Sequence, residues 1–143
     1  MPSARATCIA SALSLALISA PAAYANTNPD LLPPVLKSGS VTYMSGGISR
    51  EQKFAMERDS SRYPLELHFL AEGPAYALVY VPVTIRDSSG RVVLDASSDG
   101  PLMLADLPDG RYTVSAWYKG QEEKLQVDVR HGQQQTLAFD WKY

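Results

Sequence analysis

Two histidines, His68 and His131, are the only imidazoles in this 143-residue chain, and its one cysteine is Cys8. A zinc centre gathers three or four His, Cys or acidic ligands in one place, so this inventory points to no metal site. His68 falls in the polar row of a predicted strand and His131 in a His-Gly turn, which gives no convergent pair for acid–base work. Serines are frequent, yet none stands in a G-x-S-x-G context with a base in reach. Glu51 and Glu57, six residues apart on a predicted helix, do not share a face. The Asp/Ser/Gly runs at 87–90 and 97–100 carry turn chemistry and lack the repeated carboxylates of a calcium loop. No catalytic, metal or cofactor residue is named by these patterns. Recognition has better candidates. Tyr80 and Trp117 both fall on outward rows of predicted strands, and tyrosine and tryptophan are the residues that most often anchor interfaces. The same rings also stack on sugars. The competing expectation is that the N-terminal segment, helix included, covers this face.

The ends of the chain bound where such a surface would work. Arg5 supplies a positive start, Ala6 to Ala20 is an apolar run, and Ala23-Tyr24-Ala25 is the small-x-small pattern of a signal-peptidase site. Residues 1–25 therefore read as a signal peptide, with a mature chain of 118 residues starting at Asn26. That run is too short for an anchor, and no later segment is apolar enough to insert stably in a membrane. Losing Arg5 leaves 12 Lys+Arg against 15 Asp+Glu. With no basic run present, a nucleic-acid partner is not expected. An exported domain whose only cysteine precedes the cleavage site must rest on its core alone.

The elements that position Tyr80 and Trp117 follow from periodicity. Residues 26–40, with three prolines and a Gly-Ser end, read as an extended leader. Residues 41–62 read as a short strand and a helix. Ser49 and Gln52 form a capping box, and Pro64 disfavours helix at Tyr63, which predicts a helix over 50–61. From Tyr63 the period is two. Leu67 and Phe69, then Ala77, Val79, Val81, Val83 and Ile85, form inward rows, while Pro82 predicts an edge strand or a bulge. Leu107, Tyr112, Val114, Val127, Leu137 and Phe139 continue the core. Seven strands at about ten-residue spacing, joined by turns, predict an antiparallel sandwich over 63–143.

The segment "LPDGRYTVSAWYKG" at 107–120 resembles the L-P-x-G-x-Y-x-V-x-A stretch of carboxypeptidase regulatory-like domains, which are prealbumin-like (transthyretin-like) sandwiches. "VTIRDSSGRVVLDASSDGPLMLADLPDG" before it is similar to that family's strand-turn-strand order. The likeness runs from about Tyr63 to Trp141. It implies a fold and not a function, because such modules recur in unrelated proteins. The pattern around "GGISREQKFAM" resembles a group of small exported bacterial proteins, which implies a location. Hydroxyisourate hydrolases resemble the chain in size and fold, but they end in Tyr-Arg-Gly-Ser and use several histidines. This chain ends Asp140-Trp141-Lys142-Tyr143. Pilin-like modules with Lys-Asn isopeptide bonds need an inward lysine on the first strand, which is lacking here.

The expectation is therefore an all-β, seven-stranded antiparallel prealbumin-like sandwich preceded by one short α-helix. It would act without catalysis or cofactor in the bacterial periplasm, as a protein-interaction or structural accessory module. Tyr80 and Trp117 are its candidate contact surface. The alternative is a small-substrate hydrolase or a carbohydrate-binding protein on the same fold.

Overall fold

The computed structural model describes residues 31–71 and 78–142. The signal peptide and its cleavage site lie outside the described residues. The elements are β1 (Leu36–Ser38), β2 (Val41–Gly46), α1 (Arg50–Asp59) followed by a 3-10 turn (Ser60–Arg62), β3 (Leu65–Ala71), β4 (Val81–Arg86), β5 (Val92–Ser98), β6 (Leu102–Asp106), β7 (Gly110–Tyr118), β8 (Gln121–Val129) and β9 (Gln135–Trp141). They form two sheets, one of five strands in the order β1-β2-β6-β3-β9 and one of four in the order β5-β4-β7-β8. The two sheets make a β-sandwich.

Nine strands replace the seven expected. The seven correspond to β3–β9; β1 comes from the stretch read as leader, and β2 is the short strand read before the helix, here longer and part of the sandwich. β1 has only three residues, too few to show a period. β2 pairs with β6 from Thr42↔Asp106 to Gly46↔Leu102. It is buried on both faces, so its sequence Val-Thr-Tyr-Met-Ser-Gly shows no apolar/polar alternation. The expectation of a wholly antiparallel sandwich also fails at one pair: β3 and β9 run parallel, from Leu65↔Gln135 to Ala71↔Trp141. The chain between them passes through the second sheet, and a connection that long permits parallel pairing.

Between the sheets, Leu67 and Phe69 of β3, Val81, Val83 and Ile85 of β4, Leu94, Met103, Leu107, Tyr112, Val114, Val127, Phe139 and Trp141 form one cluster. Phe69 lies 5.7 Å from Phe139 and 6.5 Å from Trp141, ring centroid to centroid, in stacked arrangements. Leu137, expected to be fully buried, is only half-buried and packs against this cluster. β4 begins at Val81, four residues after the predicted start of its row at Ala77. Val79 is exposed, Leu78 is buried instead, and Ala77 lies outside the described residues. β4 is an interior strand, contrary to the edge expected from Pro82. Its hydrogen-bonded register with β7 starts at Val83↔Ala116, so Pro82, which has no donor, stands beyond that ladder. The one irregularity of β4 falls between Ile85 and Arg86.

Both open sides of the sandwich are clipped by side chains. The Ser38 hydroxyl accepts from the Asp95 amide at 3.0 Å, and the Ser45 hydroxyl accepts from the Asp99 amide at 3.0 Å. On the opposite side, the Asp140 amide donates to Glu123 at 3.3 Å and the Trp141 indole donates to the Gln121 carbonyl at 3.1 Å. Bridges of this kind occupy backbone groups that would otherwise template another chain.

The helix lies outside, on the five-stranded sheet. Met56 is fully buried with Met44, Leu102 and Leu104, and Leu32 and Tyr63 pack around them. Ser49 caps it as expected, its hydroxyl accepting from the Gln52 amide at 3.1 Å. The reciprocal half of the capping box differs, because the Gln52 side chain accepts from the Gly47 amide at 2.8 Å. The α-helix ends at Asp59, two residues short of the prediction, and tightens into the 3-10 turn. Gly100 is required beside this entry, since a Cβ there would overlap the Gly46 carbonyl.

Candidate functional site

Alternation along the four-stranded sheet turns one row of side chains away from the core. β4 presents Pro82, Thr84 and Arg86, and β7 presents Arg111, Thr113 and Trp117, with Ser115 on the same row but buried. β5 adds Asp95 and Ser97, and β8 adds Glu122, Lys124, Gln126 and Asp128. Register aligns them into rungs: Asp95, Thr84, Ser115 and Lys124 on one, and Arg86, Thr113 and Gln126 on the next. Trp117 stands opposite Glu122 and is half-buried. Helix α1 sits on the other sheet, so the helix part of the competing expectation does not hold, while residues 26–30 of the N-terminal segment lie outside the described residues. Within this face the charges pair locally. Arg111 meets Asp128 at 3.0 Å and Lys124 meets Glu122 at 3.6 Å.

Tyr80 is placed differently from its prediction. It is not a strand residue but the last residue before β4, 75 % exposed, with φ 57°. A side chain with a Cβ in the left-handed region costs about 1–2 kcal/mol, and a bulky residue there is uncommon. Lys119 also has positive φ, 47°, but it has an ordinary reason. Lys119-Gly120 is the two-residue loop of the β7–β8 hairpin, flanked by Tyr118↔Gln121, and both residues take positive φ as a type I′ turn requires. Among the described residues, no such turn accounts for Tyr80. Tyr80 thus stands at the start of β4, outside the strand, and Trp117 on the outer face of the neighbouring β7.

The two histidines are apart, as their positions in the sequence implied, but each has a carboxylate partner. His68 Nε2 lies 2.6 Å from Glu66 on the outer row of β3, with the Glu66 side chain largely buried. Sequence reasoning missed this pair. The signal was present, because residues i and i+2 of a strand share a face. His131 lies 3.6 Å from Asp109, and its side chain is 97 % exposed. It borders an open groove of about 700 Å³ at the turn end, with Asp109, Arg111, Asp128 and Arg130. Such solvated pairs are weakly held. Among the described residues, no three His, Cys, Asp or Glu side chains converge as a metal site would require.

The turn carboxylates serve the turns. Asp87 accepts from the Ser89 hydroxyl at 2.6 Å and from the Ser89 and Arg91 amides at 3.0 Å each. The Ser89 hydroxyl bond, ahead of the amide bonds, holds this carboxyl below the usual range. Tyr112 of the Leu-Pro-Asp-Gly turn donates its hydroxyl to the Pro108 carbonyl at 2.7 Å. Burial first, then the nearby Asp87 and Asp109 carboxylates, pushes the Tyr112 hydroxyl up.

No protein-family model matches this chain, and no curated protein matches it. A solved structure described as "The Bacillus anthracis TIE protein" is similar over 55% of this chain, with a TM-score of 0.42 and 19% sequence identity. The similarity spans 16% of that chain. A likeness so distant and partial carries no argument about activity or partner.

Proposed function

We propose that this chain is a non-catalytic β-sandwich binding module, displayed outside the cytoplasm, that contacts its partner through the four-stranded sheet. The observation that carries this reading is the asymmetry of the two outer faces. Helix α1 seals part of the five-stranded sheet with Met56, while the four-stranded sheet keeps Trp117 on its outer face and Tyr80 at its end. An exposed tyrosine held in a costly backbone conformation is a feature that packing does not require. Export rests on the Arg5 start, the apolar run and Ala23-Tyr24-Ala25.

Co-sedimentation with isolated bacterial envelopes tests the reading. The mature chain from Asn26 should be retained, and Tyr80→Ala and Trp117→Ala should each reduce retention severalfold while remaining folded. Retention that is absent, or indifferent to both changes, contradicts it. A second reading, hydrolysis, has one geometric support in the Glu66–His68 pair. It predicts turnover of an ester or amide panel that His68→Ala abolishes.

A further inference from the structure

Exposed apolar side chains are spread unevenly over the two ends of the sandwich. At the end where β3 leaves and β4 begins, Ile48 is 59 % exposed, Leu70 49 %, Val79 39 % and Tyr80 75 %. At the opposite end, the turns at 87–90, 107–110 and 131–134 carry Asp, Ser, Gly, Pro, His and Gln around a buried Leu107. Val92 is the one exposed large apolar residue there among the described residues. The apolar residues of the first end border a single turn, 99–101. Phe69, next to Leu70, donates its amide to the Pro101 carbonyl at 2.9 Å. A Cβ on Gly47, next to Ile48, would stand 3.3 Å from Leu102 and 3.8 Å from Pro101. Val81, next to Tyr80, pairs with Ser98, whose hydroxyl donates to the Gly100 carbonyl at 2.7 Å.

Cations stand around this rim. Arg50 and Lys53 open α1, Lys119 tips the β7–β8 hairpin, and Lys142 follows β9, whose Trp141 pairs with Ala71. The carboxylates at the same level, among the described residues, are Glu51, Asp99 and Asp140. The end therefore leans positive in a mature chain of 12 Lys+Arg against 15 Asp+Glu. The chain also enters the described fold here, because Pro33 lies against Gly46 at the end of β2. Residues 21–30 are all that separates Leu31 from the apolar run ending at Ala20. A segment of that length reaches at most about 35 Å, so on the export reading this end emerges beside the bilayer.

A protein interface wants a packed, charge-depleted centre, whereas these side chains stand at the tips of separate connections with cations among them. A nucleic acid wants the cations without the apolar tips. The lipid–water interface takes all three together: aliphatic groups at the acyl boundary, a tyrosine ring among the headgroups, and Lys or Arg beside the phosphates. We infer that this end of the sandwich docks on a phospholipid bilayer. Ile48, Leu70, Val79 and Tyr80 enter the headgroup layer, and Arg50, Lys53 and Lys119 face its phosphates. The contact is peripheral, since among the described residues no helix is long and apolar enough to cross a membrane. Docked by its end, the sandwich stands upright and keeps the outer face of the four-stranded sheet turned to the side.

The chain from Asn26 has no cysteine, so one introduced thiol carries one probe. Ile48→Cys and Ser89→Cys, each labelled with an environment-sensitive dye, are mixed with protein-free vesicles of phosphatidylethanolamine and phosphatidylglycerol. Emission from position 48 should shift to the blue and be shielded from iodide, while emission from position 89, at the opposite end, should not change. Flotation should carry the unlabelled chain with the vesicles. Ile48→Ser and Leu70→Ser combined should weaken that binding severalfold at an unchanged urea midpoint. Absent flotation, flotation indifferent to the double change, or equal shifts at both probes overturns the inference. If the vesicles are inert while the double change lowers envelope retention, the end contacts a protein and the lipid assignment falls. Ile48 and Leu70 lie on the side of the five-stranded sheet, away from Trp117, so the two readings fail separately. A negative vesicle result leaves the sheet reading standing, and envelope retention indifferent to Trp117→Ala removes the sheet reading alone.

Discussion

Met56 and Phe54 stand two residues apart on α1 and face opposite ways. Met56 is fully buried, whereas Phe54 is 53 % exposed, with the Arg50 guanidinium 5.4 Å from its ring centre. The sequence alone left open which of the two inserts, because both are apolar and the helix carries few other apolar residues. The consequence is a split in stability. Met56→Ala should cost about 2–5 kcal/mol, the range for emptying a buried site. Phe54→Ala should stay within about 0.5 kcal/mol, as for most surface changes. Urea midpoints measure both, and equal losses would mean the helix is rotated from its placement here. A similar revision applies to the core: Val83→Ala should cost about 1–4 kcal/mol, while half-buried Leu137 should fall below the range for a fully buried leucine. Tyr112 adds a pH dependence. Its folded-state pKa lies above the ordinary value of 10.0, so its contribution is complete below that value and is lost as pH rises through the folded one. Tyr112→Phe should lose about 0.5–1.5 kcal/mol near neutral pH by deleting the bond to Pro108, and the gap from wild type should narrow in strong base. A gap that widens with pH would contradict the assignment.

At the scale of elements, legibility followed alternation. β3, β4, β5, β7, β8 and β9 were readable because one row of each meets the core, β6 because it is an apolar run between two turns although both its faces are buried, and Ser49 marked the helix start by its capping chemistry. β2 was unreadable as a full strand because α1 buries Met44 on the face that would otherwise be polar. The parallel β3–β9 pair was hidden for another reason: strand direction depends on the path of the chain, not on local pattern. Of the site, Trp117 was legible as an outward aromatic, but Tyr80 was assigned to a strand it only precedes. The Glu66–His68 pair joins a histidine to a carboxylate two residues away, so the wide separation of the two histidines in the sequence gives no sign of it. The helix entry yields the sharpest element-level test. Ser49→Ala should cost about 1 kcal/mol through the lost cap. Gly100→Ala should cost more than any surface change, because its Cβ meets backbone that cannot yield. Thermal unfolding ranks the two, and a harmless Gly100→Ala would refute the close approach to Gly46.

The whole molecule has two outer faces with different histories in the fold. One is partly sealed by a helix that fastens through a single methionine, with the Glu66–His68 pair on the same surface. The other presents polar rungs, Trp117 and, at its end, Tyr80. Binding and catalysis therefore predict effects on opposite sides of the sandwich. Backbone amide shifts of the isotope-labelled mature chain, recorded as solubilised envelope extract is added, separate them directly. The account predicts perturbations concentrated on Thr84, Thr113, Ser115, Trp117, Glu122 and Gln126, with Glu66, His68 and Ala138 unmoved. Perturbations centred on Glu66 and His68, leaving the β4–β7–β8 face silent, would contradict it.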